Sequence, residues 1–232
     1  MLNIFSEIEG LAGEDLSSAL LNYLLLNSLE VRTEFISLLS DVSPTGYLSC
    51  YRHFSSTTEY TTSHKAFGNG RIDLLLQLDN AVVGIENKFW ASFQQNQPEK
   101  YLETLKEVSI NLKNINNSEV HPLLFILCPA SRAVEARGKA KQLENVRVIT
   151  WQKLISAFKE IDTLSNPLVD MVLREFIRYI DAQFSFLADY RKKHPHFRSN
   201  FPDKGSTLQY ELLAKIWNFF PNPNSRVGCS NE

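Results

Sequence analysis

Apolar residues near the start of the chain recur at helical spacing, with Leu16, Leu20 and Leu24 followed by Phe35, Leu38 and Leu39, so residues 14–39 are expected to form one long helix or two short ones. The opening "GED" puts Glu14 and Asp15 in the first turn, where the helix dipole favours negative charge. "SPTG" at Ser43–Gly46 signals a turn, and "YLSCYRHF" and "TTEYTT" beyond it are rich in aromatic and β-branched residues, predicting one or two strands. "FGNG" then breaks the chain. From Arg71 to Leu78 the pattern alternates, with Ile72, Leu74, Leu76 and Leu78 on one face and Asp73, Leu75 and Gln77 on the other. Asp79–Ala81 supplies a tight turn, with Asp and Asn at positions that tolerate positive φ. The returning strand puts Val83, Ile85, Asn87 and Phe89 on one face and Glu86 and Lys88 on the opposite one.

Further on, a helical pattern covers Gln94 to Val108, and "VHPLLFILC" (Val120 to Cys128) is a nearly continuous apolar run, as expected of a strand covered on both sides. A polar, basic segment follows. "NVRVIT" predicts a shorter strand, and helical patterns return at Trp151–Ile161 and Pro167–Phe186. Helix, strands, helix, strand, strand, helices is the order of an α/β domain with a central mixed β-sheet flanked by helices. From about Tyr190 the composition changes to "RKKHPHFRSNFPDKGS", with one more expected helix near Leu208–Phe219, and this part is read as an appendage without its own core.

Composition narrows the function classes. A chain of 232 residues can bury a sizeable core, and 44% hydrophobic with 22% charged residues argues against disorder and fibrous classes. The net charge of −2 supplies no overall positive field, so a nucleic-acid partner would have to be met by a local patch. Cys50, Cys128 and Cys229 are an odd, widely spaced set with no C-x-x-C, which suits a reducing compartment. The acidic N-terminus lacks signal-peptide character, and the most apolar stretch, Ala19–Leu29, is far shorter than the ~20 residues of a membrane helix. A cytoplasmic protein without a membrane partner is expected.

The three charges in the predicted hairpin carry the chemistry. An ionised carboxylate removed from water costs several kcal/mol unless it is paired, hydrogen-bonded or bound to a cation. Asp73, Glu86 and Lys88 are therefore either a solvated outer face or a site. Asp73 lies in a run without another charge until Asp79, and Glu86 and Lys88, two apart, point the same way. Gln97 and Tyr101, one helical turn apart, can face the same spot. An Asp and a Glu offer the oxygen ligands that Mg²⁺ or Mn²⁺ prefers while leaving room for water and a phosphate oxygen. Lys88 beside two carboxylates should stay protonated.

At these residues the sequence resembles the PD-(D/E)XK nuclease superfamily, whose signature is an Asp near the end of one core strand, a variable spacer, then Asp or Glu, any residue, and Lys on the next. Here it reads "RID" with Asp73 and "ENK" with Glu86 and Lys88. The family's core of a helix, three strands, a helix and a strand matches the predicted order across residues 14–150. "EDLSSALLNYLL" is similar to the acidic first-helix motif and nominates Glu14, with Glu7 and Glu9 as nearby rivals; "QPEKYLETL" is similar to the segment with Gln and Tyr four apart. Ile72 stands where the family often has Pro, and Leu16 or Ser17 where the helix motif has His. The resemblance implies a restriction-endonuclease-like domain, taken as residues 1–190, and the change of composition makes 191–232 a basic, helical appendage. It also implies roles: Asp73, Glu86 and the Asn87 carbonyl bind Mg²⁺ or Mn²⁺, Glu14 contributes directly or through water, Lys88 acts on the attacking water, and Gln97 holds the site or the substrate backbone. The implied reaction is phosphodiester hydrolysis, of DNA before RNA; a homodimer is a possible assembly. The competing reading is a catalytically inactive module of the same fold that binds nucleic acid or a protein.

Other motifs carry less. "GNG" at Gly68–Gly70 is too short for a phosphate-cradling loop, and no G-x-S-x-G elbow is present. His194 and His196 lack partners at zinc-ligand spacing, and Arg191, Lys192, Lys193 and Arg198 read as a solvated run. Arg132, Arg137, Lys139 and Lys141 could form either an electrostatic track for a phosphate backbone or a solvated face. Trp151, Phe158 and Phe176 are expected in the core.

Overall fold

In the computed structural model, residues 13–193 are described, except 45, 49–50, 65–67, 90, 95, 117 and 163. The apolar stripe that opens the chain forms two helices, α1 (Gly13–Asn27) and α2 (Leu29–Ser40). They part at Ser28, which is extended and accepts a hydrogen bond from the Val31 N–H at 3.2 Å, a side-chain cap that starts α2 afresh. Strands β1 (Phe54–His64), β2 (Gly68–Leu78) and β3 (Ala81–Asn87) follow, then α3 (Gln97–Asn116), β4 (His121–Cys128), α4 (Ala133–Ala140), β5 (Val146–Thr150), α5 (Trp151–Lys159) and α6 (Pro167–Lys193).

The five strands lie in chain order across one sheet. β1, β2 and β3 are antiparallel neighbours, whereas β3, β4 and β5 run parallel, joined by crossovers through α3 and α4. The carboxyl ends of the parallel strands share one edge, where open α/β sheets place their sites. One face packs against α1, α2, α5 and α6, and carries Trp151, Phe158 and Phe176, all fully buried as expected. The other face packs against α3 and α4 through Tyr101, Leu102, Leu105, Ala136 and Ala140. Together they make the expected α/β fold, a mixed sheet between two helical layers. β3 and all of β4 beyond Pro122 are buried, because each has helices on both sides.

Three local expectations are corrected. The basic segment after β4 contains helix α4, whose inward positions are the alanines 133, 136 and 140, too small to make a hydrophobic stripe stand out. Helix α3 starts at Gln97 rather than Gln94, after Asn96 takes a left-handed conformation with φ 55°. The Asp79–Asn80 turn uses no positive φ; the Asp79 carboxylate instead accepts the backbone N–H groups of Arg52 and His53. The first three residues of the expected appendage, 191–193, continue α6; the rest of it, its expected helix, Glu7, Glu9, His194 and His196 lie outside the described residues.

A fourth correction bears on the site. Leu74, Leu76 and Leu78 face the α1 side, as alternation requires, but Ile72 joins Leu75 on the α3 side. β1 changes face at the same level. Phe54 and Ser56 meet the α1 side, whereas Tyr60 packs on the α3 side. The ladder pairs Thr58 with Leu74 and Tyr60 with Ile72 but omits the intervening Glu59 and Asp73. Glu59 has φ 56°, a left-handed conformation that costs a non-glycine residue roughly 1–2 kcal/mol. The hairpin therefore rolls over at Glu59 and Asp73 without losing register.

Gly84 sets the distance between β3 and α3. A Cβ there would lie 2.9 Å from Leu105 Cδ1 and 3.2 Å from Leu124 Cδ1, both fully buried. Gly84→Ala should therefore lower stability by about 1–3 kcal/mol in urea denaturation, and Gly84→Ala with Leu105→Ala should lose less than the sum of the two single changes.

Candidate active site

Three elements converge at the carboxyl end of β3. The β2–β3 ladder runs from Gln77–Val82 to Leu74–Ile85 and stops. Its next hydrogen-bonded pair would be Ile72 with Asn87, but the roll of β2 removes Ile72. The Asn87 N–H turns instead to Asp73, donating to Oδ2 at 2.7 Å. In an extended strand a residue's C=O lies on the same edge as its N–H, so the Asn87 carbonyl faces the opening that Asp73 borders.

Glu86 points to the α3 face and is buried. Its Oε1 accepts from Lys88 Nζ at 2.7 Å and from Gln97 Nε2 at 2.6 Å. Gln97 is held in turn: its Oε1 accepts the Gln94 N–H at 3.1 Å, and its Nε2 also reaches the Tyr101 hydroxyl at 3.1 Å. This bonding leaves Glu86 Oε2 buried with no hydrogen-bond partner. A buried carboxylate oxygen without a donor is costly, and a cation would relieve the cost.

The electrostatics follow from crowding. Burial, and after it the nearby Asp73 carboxylate, pushes the Glu86 pKa up to about 8 against the pull of Lys88. Burial likewise raises Asp73 to about 6, although the Asn87 N–H and Lys88 act the other way. For Lys88, burial alone would lower the pKa, but Glu86 first, then Glu14 and Asp73, reverse this and raise it. With one ammonium facing two buried carboxyls, the cluster sheds charge most cheaply by keeping a proton on the deeper acid, Glu86.

Glu14 occupies a different place from the other acids. Its Oε1 accepts the backbone N–H groups of Phe89 and Ala91, so it fixes the exit of β3. The same turn of α1 grips Asn87, whose Nδ2 donates to the Glu14 carbonyl at 2.9 Å and to Ser17 and Ser18 Oγ, each at 3.2 Å. The sequence named Ser17 only as one of two positions standing where the family's helix motif has His, and Ser18 not at all, yet Glu14, Ser17, Ser18 and Leu21 continue one helical stripe, and polar residues at its sheet-facing positions are the available signal.

Arg132 is also redefined. It is buried, donates to the Ala91 carbonyl and to Glu135, and lies 5.5 Å from the Phe93 ring centroid. It pins the loop that leads from Lys88 to Gln97 and cannot belong to an exposed basic track, which leaves Arg137, Lys139 and Lys141 on the surface.

The donor set suits a hard divalent cation: Asp73, the free oxygen of Glu86 and the Asn87 carbonyl are all oxygen ligands. Among the described residues no three His, Cys, Asp or Glu side chains form a ligand cluster, so the set amounts to two carboxylates and one main-chain oxygen. Among the same residues no helix is long and apolar enough to cross a membrane.

Comparison with known families matches residues 8–178 to the PD-(D/E)XK nuclease superfamily. That span includes every element from α1 to the first half of α6, and all the residues of the cluster. Comparison with curated proteins gives no match.

The raised acid pKa values set a sign for stability. A carboxyl whose pKa is higher folded than unfolded binds its proton more tightly in the folded state, so stability falls as pH rises from the unfolded value towards the folded one. With chelator present, the melting temperature should fall between about pH 4.5 and 8 through Glu86. Glu86→Gln should flatten much of that slope, as measured by calorimetric melts across the range.

Proposed function

The chain belongs to the PD-(D/E)XK nuclease superfamily, and we propose that it is an active, divalent-metal-dependent nuclease that hydrolyses phosphodiester bonds, of DNA before RNA. The observation that carries this reading is the Glu86 carboxylate. One oxygen is held by Lys88 and Gln97, and the other is buried without a donor in a residue that feels the Asp73 carboxylate. Structural ion pairs are usually satisfied on both oxygens; a half-satisfied one is expected where a ligand completes it.

Asp73, Glu86 and the Asn87 carbonyl would hold Mg²⁺ or Mn²⁺, which when bound supplies Lewis acidity toward a phosphate oxygen and lowers the pKa of water. Lys88, kept protonated by the surrounding carboxylates, orients the attacking water and offsets negative charge gathering on the phosphoryl oxygens. Gln97 fixes the Glu86 rotamer, and through it the Lys88 ammonium, which shares Glu86 Oε1. Glu14 acts on the backbone from Phe89 to Ala91 and so sets the direction in which Lys88 leaves the strand. The same reading has it act on nucleic acid in the cytoplasm, away from membranes.

Purified protein should cut linear or circular DNA with Mg²⁺ or Mn²⁺ and stop when the metal is chelated. Glu86→Ala and Lys88→Ala should each lower the rate by about 100-fold or more while keeping the circular-dichroism spectrum. A folded wild-type protein that cuts none of double-stranded DNA, single-stranded DNA or RNA, and binds no Mn²⁺ at millimolar concentration, would favour the inactive binding module instead.

A further inference from the structure

We propose that the left-handed backbone at Glu59, and not its carboxylate, turns Asp73 into the opening between β2 and β3, which makes Glu59 a positioning residue for the acidic site. The inference deepens the nuclease reading and rests on it for its metal measurement alone.

The geometry is that of a paired half-turn. Ile72 and Leu74 would share a face in a regular strand, yet they lie on opposite sides of the sheet, and in β1 the faces also change between Ser56 and Tyr60. The pairs Thr58–Leu74 and Tyr60–Ile72 keep the same register on either side. No residue has been inserted, so the change of face must be taken up by torsion at Glu59 and Asp73. Glu59 is where that torsion shows, with φ 56° in mid-strand; among the described residues only Asn96 shares a positive φ outside glycine. As a result the Asp73 carboxylate points along the sheet toward β3 and receives the Asn87 N–H that a regular ladder would have given to β2.

The side chain of Glu59 does a separate and weaker thing. It pairs with Arg71 at 3.0 Å, and Arg71 also pairs with Asp15 at 3.1 Å, all with roughly half-exposed side chains. Solvated pairs of this kind hold little in place. Glu59, Asp15 and Asp73 border a cavity of about 300 Å³ between α1 and the hairpin, so the roll also opens the space beside Asp73.

Glycine and asparagine accept positive φ, whereas a β-branched residue resists it, and this separates backbone from charge. Two readouts are taken on each variant: hydrogen exchange of the Asn87 amide without metal, and Mn²⁺ affinity by titration calorimetry. Glu59→Gly and Glu59→Asn should keep Asn87 protection and Mn²⁺ affinity within about twofold of wild type. Glu59→Val should speed Asn87 exchange and weaken Mn²⁺ binding, each at least tenfold. If Glu59→Val folds and leaves both unchanged, or if Glu59→Asn loses what Glu59→Val loses, the inference is overturned. Where Glu59→Val does not fold, Glu59→Asn decides by the same criterion. A wild-type protein that binds no Mn²⁺ would defeat the nuclease reading, and Asn87 exchange would still decide the role of Glu59.

Discussion

The burial of one acid, Glu86, organises this molecule. Burial makes its charged form costly, and its surroundings answer it asymmetrically: Lys88 and Gln97 converge on one oxygen and leave the other bare. Much of the local architecture serves the side that is answered. Gly84 lets α3 close on β3, which brings Gln97 within reach, and Tyr101 one turn later steadies the amide. Close by, β2 and β3 part beyond Leu74 and Ile85, and Asp73, whose carboxylate raises the Glu86 pKa, borders that gap. The cost of the uncompensated oxygen is met by the apolar packing around it.

The backbone that carries the cluster is held from two directions. α1 contributes Glu14, Ser17 and Ser18, which between them bind the Asn87 amide and the N–H groups of Phe89 and Ala91. From the other layer, Arg132 takes the Ala91 carbonyl. A loop between a strand and a helix would ordinarily be free to drift; here donors and acceptors from both helical layers hold its first residues. The division of labour among the acids follows. Asp73 borders the opening and Glu86 is buried against α3, both with raised pKa values, while Glu14 accepts backbone N–H groups and acts on both from a distance.

How much of this was legible in the chain depended on the kind of signal. Glu86 and Lys88 could be placed together because they sit two apart on a strand whose other face is apolar but for Asn87, and period-two patterning is a strong constraint when a sheet is buried. Gln97 and Tyr101 could be read from helical spacing. The position of Asp73 could not, because alternation assigns it to the face of Leu75 and Gln77, and nothing in "TTEYTT" announces that a glutamate will adopt the conformation usual for glycine. Helix α4 was hidden for the opposite reason, since its buried face is alanine and carries almost no hydrophobic contrast. Arg132 looked like surface charge because burial of an arginine depends on acceptors distant in sequence, here a carbonyl 41 residues away.

Phe89, one residue past Lys88, meets Trp151 edge-on at 5.3 Å and Phe184 at 5.1 Å between ring centroids. The backbone just past Lys88 is therefore anchored to α5 and to α6, the last of the described helices, on the sheet face that also carries α1, the first. During synthesis, when amino-terminal parts emerge before the rest, the strand that carries Glu86 leaves the ribosome well before the ring at residue 184 that anchors the exit of that strand. A fragment ending short of that residue lacks one of the two rings against which Phe89 packs edge-on.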